Sequence, residues 1–297
     1  MAKEQVDRMQ IKANGIMLEY KEFGARDGVP LVMIRGLGTQ LIQWPTELTQ
    51  GFADKGYRVI VFDNRDIGLS QSFESSGVPS TKSDILAITQ KGEFPALAYT
   101  LDDMAADVVG LMDALDIPKA HIFGISMGGA IAQLLLIDHA KRLLTGSAVM
   151  TGAKLRSTNL LDYILVEDEN RDQFQDSWIK GHNDWGSTGF PMPEADIRAE
   201  AAAVWDHGYQ AGAVNRQALA TVSAQDRREL LQSVNVPTLV IHGAADTLIP
   251  ADAGREIAAL IPNADLEIIE GMGHVITPLL SPKIVKMVDA FINKNPR

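Results

Sequence analysis

The sequence predicts an α/β fold in which one mostly parallel sheet carries helices on both faces. Short apolar runs alternate with helical patterns along most of the chain, which is typical of parallel strands joined by helices. Most of these runs are continuously apolar, as expected of strands buried on both faces. We predict strands at 31–34, 58–62, 120–123, 144–150, 237–242 and 265–270. Helical patterns lie at 45–55, 101–115, 127–139, 252–260 and 281–293.

A hairpin precedes these alternating units. Asn14-Gly15 separates two short runs, 10–13 and 16–20. Both central residues of a type I′ turn need positive φ, which asparagine and glycine tolerate better than other residues. We therefore predict an antiparallel pair of strands at the start of the fold.

Two stretches interrupt the alternation of strands and helices. Residues 73–99 are rich in Ser, Gly, Pro and Lys, and we predict an irregular, mobile excursion near the entrance of the functional site. Residues 154–233 form a longer interruption with helix-prone segments such as 199–205. We predict that 154–233 is a helical insertion and that 1–153 and 234–297 together form the core domain.

Composition and charge narrow the classes of partner and of chemistry. Hydrophobic residues make up 46% of the 297 residues and charged residues 22%, so a substantial buried core is expected. The formal net charge of −11 argues against nucleic acid or an anionic membrane as a partner, because both attract basic surfaces. The absence of cysteine excludes disulfides, thiolate zinc sites and a cysteine nucleophile.

The N-terminal segment shows no sign of an export signal. Met1–Arg8 lacks the apolar stretch of a secretion signal, and no run in the chain reaches the length needed to span a membrane. We therefore expect a cytoplasmic location.

Ser126 lies in Gly124-Ile125-Ser126-Met127-Gly128, which has the G-x-S-x-G pattern of a nucleophile elbow. The apolar run at 120–123 comes before it, and a helical run at 129–136 follows. A serine on a sharp turn between a strand and a helix has its hydroxyl pushed out of the sheet. The flanking glycines let the backbone turn without a clash at Cβ. We predict that Ser126 is a nucleophile.

Two polar residues after later strands supply the partners that a serine nucleophile needs. A serine hydroxyl is a weak nucleophile at neutral pH, so it needs a base within hydrogen-bond reach and a third group that orients the base. Asp246 follows the strand predicted at 237–242, and His274 follows the strand predicted at 265–270. We predict a triad in which His274 is the base and Asp246 orients it.

The chain resembles the α/β-hydrolase superfamily over nearly its whole length. The chain order Ser126, Asp246, His274 is the order found in that superfamily. The loop at 62–70, Phe-Asp-Asn-Arg-Asp-Ile-Gly-Leu-Ser, and the loop at 271–274, Gly-Met-Gly-His, resemble those of carboxylesterase-like and aclacinomycin-methylesterase-like proteins. The resemblance implies an α/β-hydrolase fold in which the insertion forms a helical cap over the serine.

A tetrahedral intermediate needs two backbone N–H donors that bind its oxyanion. Met127, directly after the predicted nucleophile, is one expected donor. The resemblance assigns the other to Leu37, in the loop that follows the strand at 31–34. Many relatives have histidine where this chain has Arg35. We expect Arg35 to be a partly exposed arginine at a strand end rather than a substrate ligand.

Three of the four tryptophans lie in the predicted cap, at Trp178, Trp185 and Trp205. A cap rich in aromatic residues can supply apolar walls for a substrate and exclude water. For each tryptophan alone, packing of the cap against the core is the favoured interpretation. The group as a whole suggests an apolar pocket for an acyl or alcohol group.

Several other polar residues fit structural roles. Asp63, Arg65 and Asp66 invite a catalytic interpretation, but an ion pair that steadies their loop is the favoured one. His242 is expected to form a hydrogen bond near a strand end.

Metal and nucleotide motifs are missing from the sequence. His182 and His207 do not have the spacing of metal ligands. Gly36-Leu37-Gly38 is not a dinucleotide motif, because Leu41 stands where the third glycine should be. We expect neither a metal nor a cofactor.

The sequence thus predicts a cofactor-independent serine hydrolase that cleaves an ester or similar acyl bond of a small, fairly apolar molecule. Serine at the elbow disfavours dehalogenase and epoxide-hydrolase chemistry, which in similar folds depends on an aspartate there. The same triad suits a carbon–carbon bond hydrolase, an enol-lactonase or a perhydrolase. Outside catalysis, the alternative is a ligand receptor with little turnover.

Overall fold

The computed structural model describes residues 9–154, 164–167 and 170–296. The N-terminal segment 1–8 and the parts 155–163 and 168–169 of the predicted cap lie outside the described residues. Within the described ranges, no helix combines the length and the apolar character that crossing a bilayer requires.

The central element is one sheet. Its strands are β1 (Met9–Ala13), β2 (Ile16–Phe23), β3 (Val29–Ile34), β4 (Tyr57–Phe62), β5 (Ala120–Ile125), β6 (Leu143–Val149), β7 (Thr238–Gly243) and β8 (Asp265–Ile269). The order across the sheet is β1-β2-β4-β3-β5-β6-β7-β8. β2 pairs antiparallel with β1 and with β4, and all other neighbours are parallel. The predicted mostly parallel sheet is confirmed.

Helices connect most of the strands. In the described part of the chain they are α1 (Thr46–Asp54), α2 (Lys82–Thr89), α3 (Leu101–Ala114), α4 (Met127–Asp138), α5 (Arg171–Trp185), α6 (Glu194–Asp206), α7 (Ala211–Ser223), α8 (Arg228–Leu231), α9 (Ala251–Leu260) and α10 (Ser281–Lys294). Helices α3, α4 and α9 cover one face of the sheet, and α1 and α10 cover the other. The predicted arrangement of helices on both faces is confirmed.

The two faces of the sheet form two apolar cores. In β3, Val32 and Ile34 belong to one core, while Leu31 and Met33 belong to the other. This follows from the two-residue repeat of a strand. A strand that must fill both cores cannot alternate polar and apolar residues, which explains the continuous apolar runs of the sequence.

The turn between β1 and β2 has the predicted geometry. The φ angles of Asn14 and Gly15 are 48° and 82°. Both central residues therefore lie in the left-handed region, as a type I′ turn requires. The strands pair antiparallel directly outside the turn, with Ala13 opposite Ile16.

The boundaries predicted for the parallel strands and the core helices agree with the observed ones to within two residues. The difference that matters most for the candidate site is at β5. This strand continues past the predicted end at 123 to Ile125 and so ends directly before Ser126. The prediction for 73–99 is wrong in part, because α2 occupies part of this stretch. Ile85 is the only buried residue of α2, so the helix has no apolar stripe by which the sequence could reveal it.

Helices α5 to α8 lie between β6 and β7 in the chain, within the predicted insertion. Helix α7 is buried along almost its whole length. Helix α5, by contrast, has only two buried residues, Phe174 and Gly181. The inner position of α7 brings polar side chains of the insertion onto loops of the sheet. The division of the chain into core and cap stays a prediction.

Candidate active site

Ser126 joins β5 to α4 with a backbone conformation that few residues other than glycine adopt. Its φ and ψ are 54° and −120°, and its N–H donates to the Val149 carbonyl at 2.9 Å. The tight turn needs glycine at position 128, because a Cβ there would lie 2.2 Å from the Ile34 carbonyl oxygen. The strained turn brings the serine hydroxyl to the loops at the carboxyl ends of the strands.

Ser126, His274 and Asp246 form a continuous chain of hydrogen bonds. His274 Nε2 lies 2.9 Å from Ser126 Oγ, and His274 Nδ1 lies 2.7 Å from Asp246 Oδ2. An ionised carboxylate can only accept, so Nδ1 carries the proton and Nε2 is free to take one from the serine. The structure brings the three predicted residues together in an arrangement that can activate a serine. Their catalytic roles stay a prediction.

Asp246 is buried and held by several donors. Its Oδ1 accepts the N–H groups of Leu248 at 3.0 Å and Ile249 at 2.8 Å. Burial alone raises the pKa of this carboxyl, but the nearby His242 ring and hydrogen bonds from His274 and the Ile249 amide outweigh burial and lower the pKa to about 2. Asp246 is therefore ionised at neutral pH, and its charge can stabilise a protonated His274.

His242 is a second histidine beside Asp246. It is fully buried in β7, and its Nε2 donates to the Ile249 carbonyl at 2.8 Å, the predicted hydrogen bond near a strand end. The same nitrogen lies 3.5 Å from Asp246 Oδ2. We did not predict this second contact. The only sequence signal for it is the four-residue spacing between the two side chains.

The segment at the end of α5 holds the loop that carries His274. The Trp185 carbonyl accepts the His274 N–H at 2.6 Å, and Ser187 Oγ accepts the Gly273 N–H at 2.9 Å. One backbone and one side-chain contact from the insertion thus hold the loop of the candidate base. Ser187 was missed by the sequence analysis, since nothing in the neighbouring residues marks it.

The two predicted oxyanion donors lie beside Ser126. Met127 is the first residue of α4, and the first N–H groups of a helix have no acceptor within it. A Cβ at Gly36 would lie 3.1 Å from the Cβ of Ser126, so the loop that contains Leu37 contacts the serine. The Leu37 N–H makes no hydrogen bond within the described residues. Both amides are therefore available to a substrate oxygen.

Arg35 does not lie partly exposed, as we expected, but is buried. Its guanidinium stacks on the ring of Trp44 at 4.7 Å, and Nε donates to Thr39 Oγ1 at 3.2 Å while Nη1 donates to the Gln43 carbonyl at 3.3 Å. Burial lowers the pKa of Arg35 to about 10, although nearby carboxylates raise it. The expectation was wrong because Trp44 offers a flat ring for stacking.

Asp63 links the loop after β4 to two other parts of the fold. Its Oδ1 accepts the Leu41 N–H at 2.6 Å, and its Oδ2 accepts the Leu69 N–H at 3.0 Å. His207, at the end of α6, donates to the same Oδ2 at 2.9 Å. The favoured structural interpretation of Asp63 agrees with these contacts.

Arg65 and Asp66 each form a buried, two-point ion pair with a distant residue. Arg65 pairs with Asp107 of α3 at 2.6 and 2.7 Å. Asp66 pairs with Arg216 of α7 at 2.6 and 2.8 Å and also accepts the Tyr99 hydroxyl at 2.8 Å. The predicted structural ion pairing is present, and it ties the loop to α3 and α7.

Trp178 and Trp205 of the predicted cap pack against other aromatic residues. Trp178 and Trp205 contact Phe174 at ring-centroid distances of 5.4 and 5.6 Å, and Tyr209 completes this aromatic cluster. These contacts favour the packing interpretation for both residues. Trp185 lies elsewhere, at the end of α5, where its carbonyl binds the His274 loop. Its place in the pocket wall stays a prediction.

In the part of the chain that the structure describes, no group of three or more histidine or acidic side chains is placed to hold a metal ion. His182 bonds the carbonyl of Trp178 at 3.1 Å, and His207 bonds Asp63. His182 thus bonds within the insertion, and His207 bonds the insertion to the loop after β4.

Known proteins resemble this chain over most of its length. The sequence model of the Alpha/beta hydrolase family matches residues 31–286. A rhodomycin D methylesterase from Streptomyces sp. (strain C5) is 24% identical, over 83% of this chain and 85% of the methylesterase. A non-heme chloroperoxidase from Streptomyces lividans is 30% identical, over 88% of this chain and 91% of its own.

A solved structure is similar to this protein in its fold. The crystal structure of the enol-lactonase from Burkholderia xenovorans LB400 superposes with a TM-score of 0.78 at 24% sequence identity. The superposition covers 96% of this chain and 100% of the lactonase. At this identity the similarity concerns the fold.

Proposed function

The chain belongs to the alpha/beta hydrolase family, and we propose that it is a cofactor-independent serine hydrolase that cleaves a carboxylic ester. The observation that carries the proposal is the chain of hydrogen bonds from Ser126 Oγ through His274 to Asp246. These hydrogen bonds account for each proton transfer that ester cleavage needs. The strained turn at Ser126 adds support, because such strain is common at functional sites.

In the first half of the reaction, Ser126 attacks the carbonyl carbon of the ester. His274 Nε2 takes the hydroxyl proton as the new C–O bond forms. The ionised Asp246 keeps the proton on Nδ1 and stabilises the imidazolium that results. His274 then gives its proton to the leaving alkoxide, and the alcohol departs to leave an acyl-enzyme.

The tetrahedral intermediate carries a negative charge on the former carbonyl oxygen. We assign its stabilisation to the N–H groups of Leu37 and Met127, which lie next to Ser126 and have no acceptor among the described residues. Each donor in such a pair typically contributes about 3 kcal/mol to the stability of the transition state.

Water completes the reaction on the same groups. His274 takes a proton from a water molecule, which attacks the acyl carbon of the acyl-enzyme. The second tetrahedral intermediate uses the same two amides. His274 returns the proton to Ser126 Oγ as the acid product leaves, so the enzyme ends in its starting state.

A small, fairly apolar ester is the substrate class that the similarities favour. The methylesterase relative acts, by its name, on a methyl ester, and it resembles this chain over most of both lengths. Trp185 of the insertion is held at the His274 loop, and an aromatic wall there would suit an apolar group. Because one relative is named a non-heme chloroperoxidase, perhydrolase activity stays an alternative for this chain.

A substrate panel separates these activities. We expect p-nitrophenyl acetate and butyrate to be hydrolysed by the wild type and not by Ser126→Ala. An enol-lactone, a vinylogous diketone and a mixture of acetate with hydrogen peroxide represent the alternatives. Turnover of one of these at a much higher kcat/KM than any ester would replace the ester assignment. Tight ligand binding without turnover of activated esters would instead indicate a receptor.

A further inference from the structure

Gln217 of α7 is a completely buried side chain whose two polar atoms both contact loops of the sheet. Its Oε1 accepts the Gly38 N–H at 2.9 Å, and its Nε2 donates to the Arg65 carbonyl at 3.0 Å. Gln217 is therefore a hydrogen-bonding contact between the insertion and the loop that carries the proposed oxyanion donor Leu37. A buried amide with both atoms satisfied is a rigid connection.

The loop from Gly36 to Thr39 is a β-turn whose central peptide depends on an outside partner. The Thr39 N–H donates to the Gly36 carbonyl at 3.3 Å, and Gly38 has a φ of +67°. Leu37 is not among the residues with positive φ. This combination defines a type II turn. The central N–H of such a turn, here that of Gly38, has no acceptor inside the turn, and Gln217 supplies one.

Packing leaves the turn little room to move while Gln217 is in place. A Cβ at Gly38 would lie 3.0 Å from a methyl group of Val214, so α7 lies directly on the turn. Removal of the acceptor leaves the Gly38 N–H buried without a partner, and the turn can relax by shifting against α7. Such a shift moves the neighbouring Leu37 N–H and changes its direction.

We propose that Gln217 is a positioning residue, which holds the turn so that the Leu37 N–H points at the oxyanion of the tetrahedral intermediate. This inference rests on the proposed serine hydrolase function. It assigns the insertion a part in stabilising the transition state, in addition to any contact with substrate. Gln217 itself does not touch the reacting atoms.

The test compares three variants of the full chain. Gln217→Met keeps the length of the side chain and removes both hydrogen bonds. Gln217→Glu keeps an acceptor for Gly38. Gln133→Met is the matched control, because Gln133 is equally buried but bonds Gly152 and Arg227 instead of the turn. We measure kcat and KM for p-nitrophenyl butyrate and the inhibition constant of phenylboronic acid, whose serine adduct is a tetrahedral boronate with an oxygen in the place of the oxyanion.

We expect Gln217→Met to lower kcat about 10- to 100-fold with KM changed less than about threefold, since a misdirected donor loses part of the effect of a missing one. The boronic acid should bind more weakly by a similar factor. Gln217→Glu should recover most of the lost kcat, and Gln133→Met should change neither constant more than about twofold. Thermal unfolding of the two methionine variants shows whether their stability losses match.

Two results would overturn the inference in distinguishable ways. If the wild type hydrolyses the ester through Ser126 but Gln217→Met keeps kcat and boronic acid affinity within about twofold of Gln133→Met, the positioning role is wrong and the proposed function stands. If the wild type shows no hydrolysis that depends on Ser126, both proposals are wrong.

Discussion

His274 Nδ1 lies 2.7 Å from Asp246 Oδ2, so the imidazole is a donor toward the carboxylate and an acceptor toward Ser126. The other oxygen of Asp246 accepts two backbone N–H groups. Although burial raises the pKa of Asp246, these bonds and the nearby His242 ring lower it to about 2. The folded state therefore favours the ionised form of Asp246, so protonation of this carboxylate in acid should lower the stability of the fold.

The free energy of unfolding should fall in acid because of Asp246. Its folded-state pKa of about 2 lies below the ordinary 3.8, so the carboxylate stabilises the fold above pH 3.8 and this contribution is lost as pH falls through about 2. The total is about 2 kcal/mol, and about half of it is lost by pH 3. Urea unfolding should show that the free energy of unfolding of the wild type exceeds that of Asp246→Asn by about 1 kcal/mol less at pH 3 than at pH 6. A difference independent of pH would contradict the lowered pKa.

The backbone strain at Ser126 predicts a ranking of two inactive variants. Ser126→Gly and Ser126→Ala both lack the hydroxyl and its hydrogen bond to His274. Because φ is 54° at this position, glycine fits without strain and alanine does not. We expect the free energy of unfolding of Ser126→Gly to exceed that of Ser126→Ala by about 1 kcal/mol. Chemical denaturation measures the difference, and the opposite ranking would show that the turn is not strained.

The buried pair of Asp66 and Arg216 should couple strongly. Removing either partner leaves a buried charge, so Asp66→Asn and Arg216→Met should each lower the free energy of unfolding by about 3 kcal/mol. The double variant should lose clearly less than the sum of the two. The exposed pair of Asp176 and Arg198 is the control, with an expected coupling below about 0.5 kcal/mol. Additive losses at the buried pair would contradict the assigned contact.

Arg35 should tolerate an apolar replacement of similar length. No carboxylate of the described residues lies within ion-pair distance of its guanidinium, so the buried charge has little compensation. Arg35→Met keeps the contact with Trp44, and its free energy of unfolding should lie within about 1 kcal/mol of the wild-type value. Arg35→Ala also empties space and should cost about 2 to 3 kcal/mol. Equal losses in the two variants would show that the charge itself stabilises the fold.

The sheet could be predicted because its strands are recognisable from local sequence. Parallel strands buried on both faces must be apolar throughout, and the runs before Ser126 and Asp246 meet this requirement. The chain direction of parallel strands then places the loops after them at one edge. The sequence alone therefore predicts that Ser126, Asp246 and His274 lie at the same edge of the sheet.

The contacts between α7 and the loop after β4 could not be predicted in the same way. Arg216 lies 150 positions from Asp66, and Gln217 lies 152 positions from Arg65. No local period or spacing links such residues, since their contact depends on where the whole insertion packs. The stacking of Arg35 on Trp44 was missed for a different reason, since both residues lie between β3 and α1. A strand-end arginine is expected to be exposed unless a partner covers it, and nothing in the sequence marks Trp44 as that partner.

Active-site labelling distinguishes a Ser126 nucleophile that His274 activates from an unreactive serine. A fluorophosphonate probe reacts with an activated serine, and mass spectrometry of the digested protein identifies the residue that carries it. We predict one adduct, on the peptide with Ser126, no labelling of Ser126→Ala, and much slower labelling of a folded His274→Ala. Labelling of another residue, or equal labelling of wild type and Ser126→Ala, would contradict the assignment of Ser126 as the nucleophile.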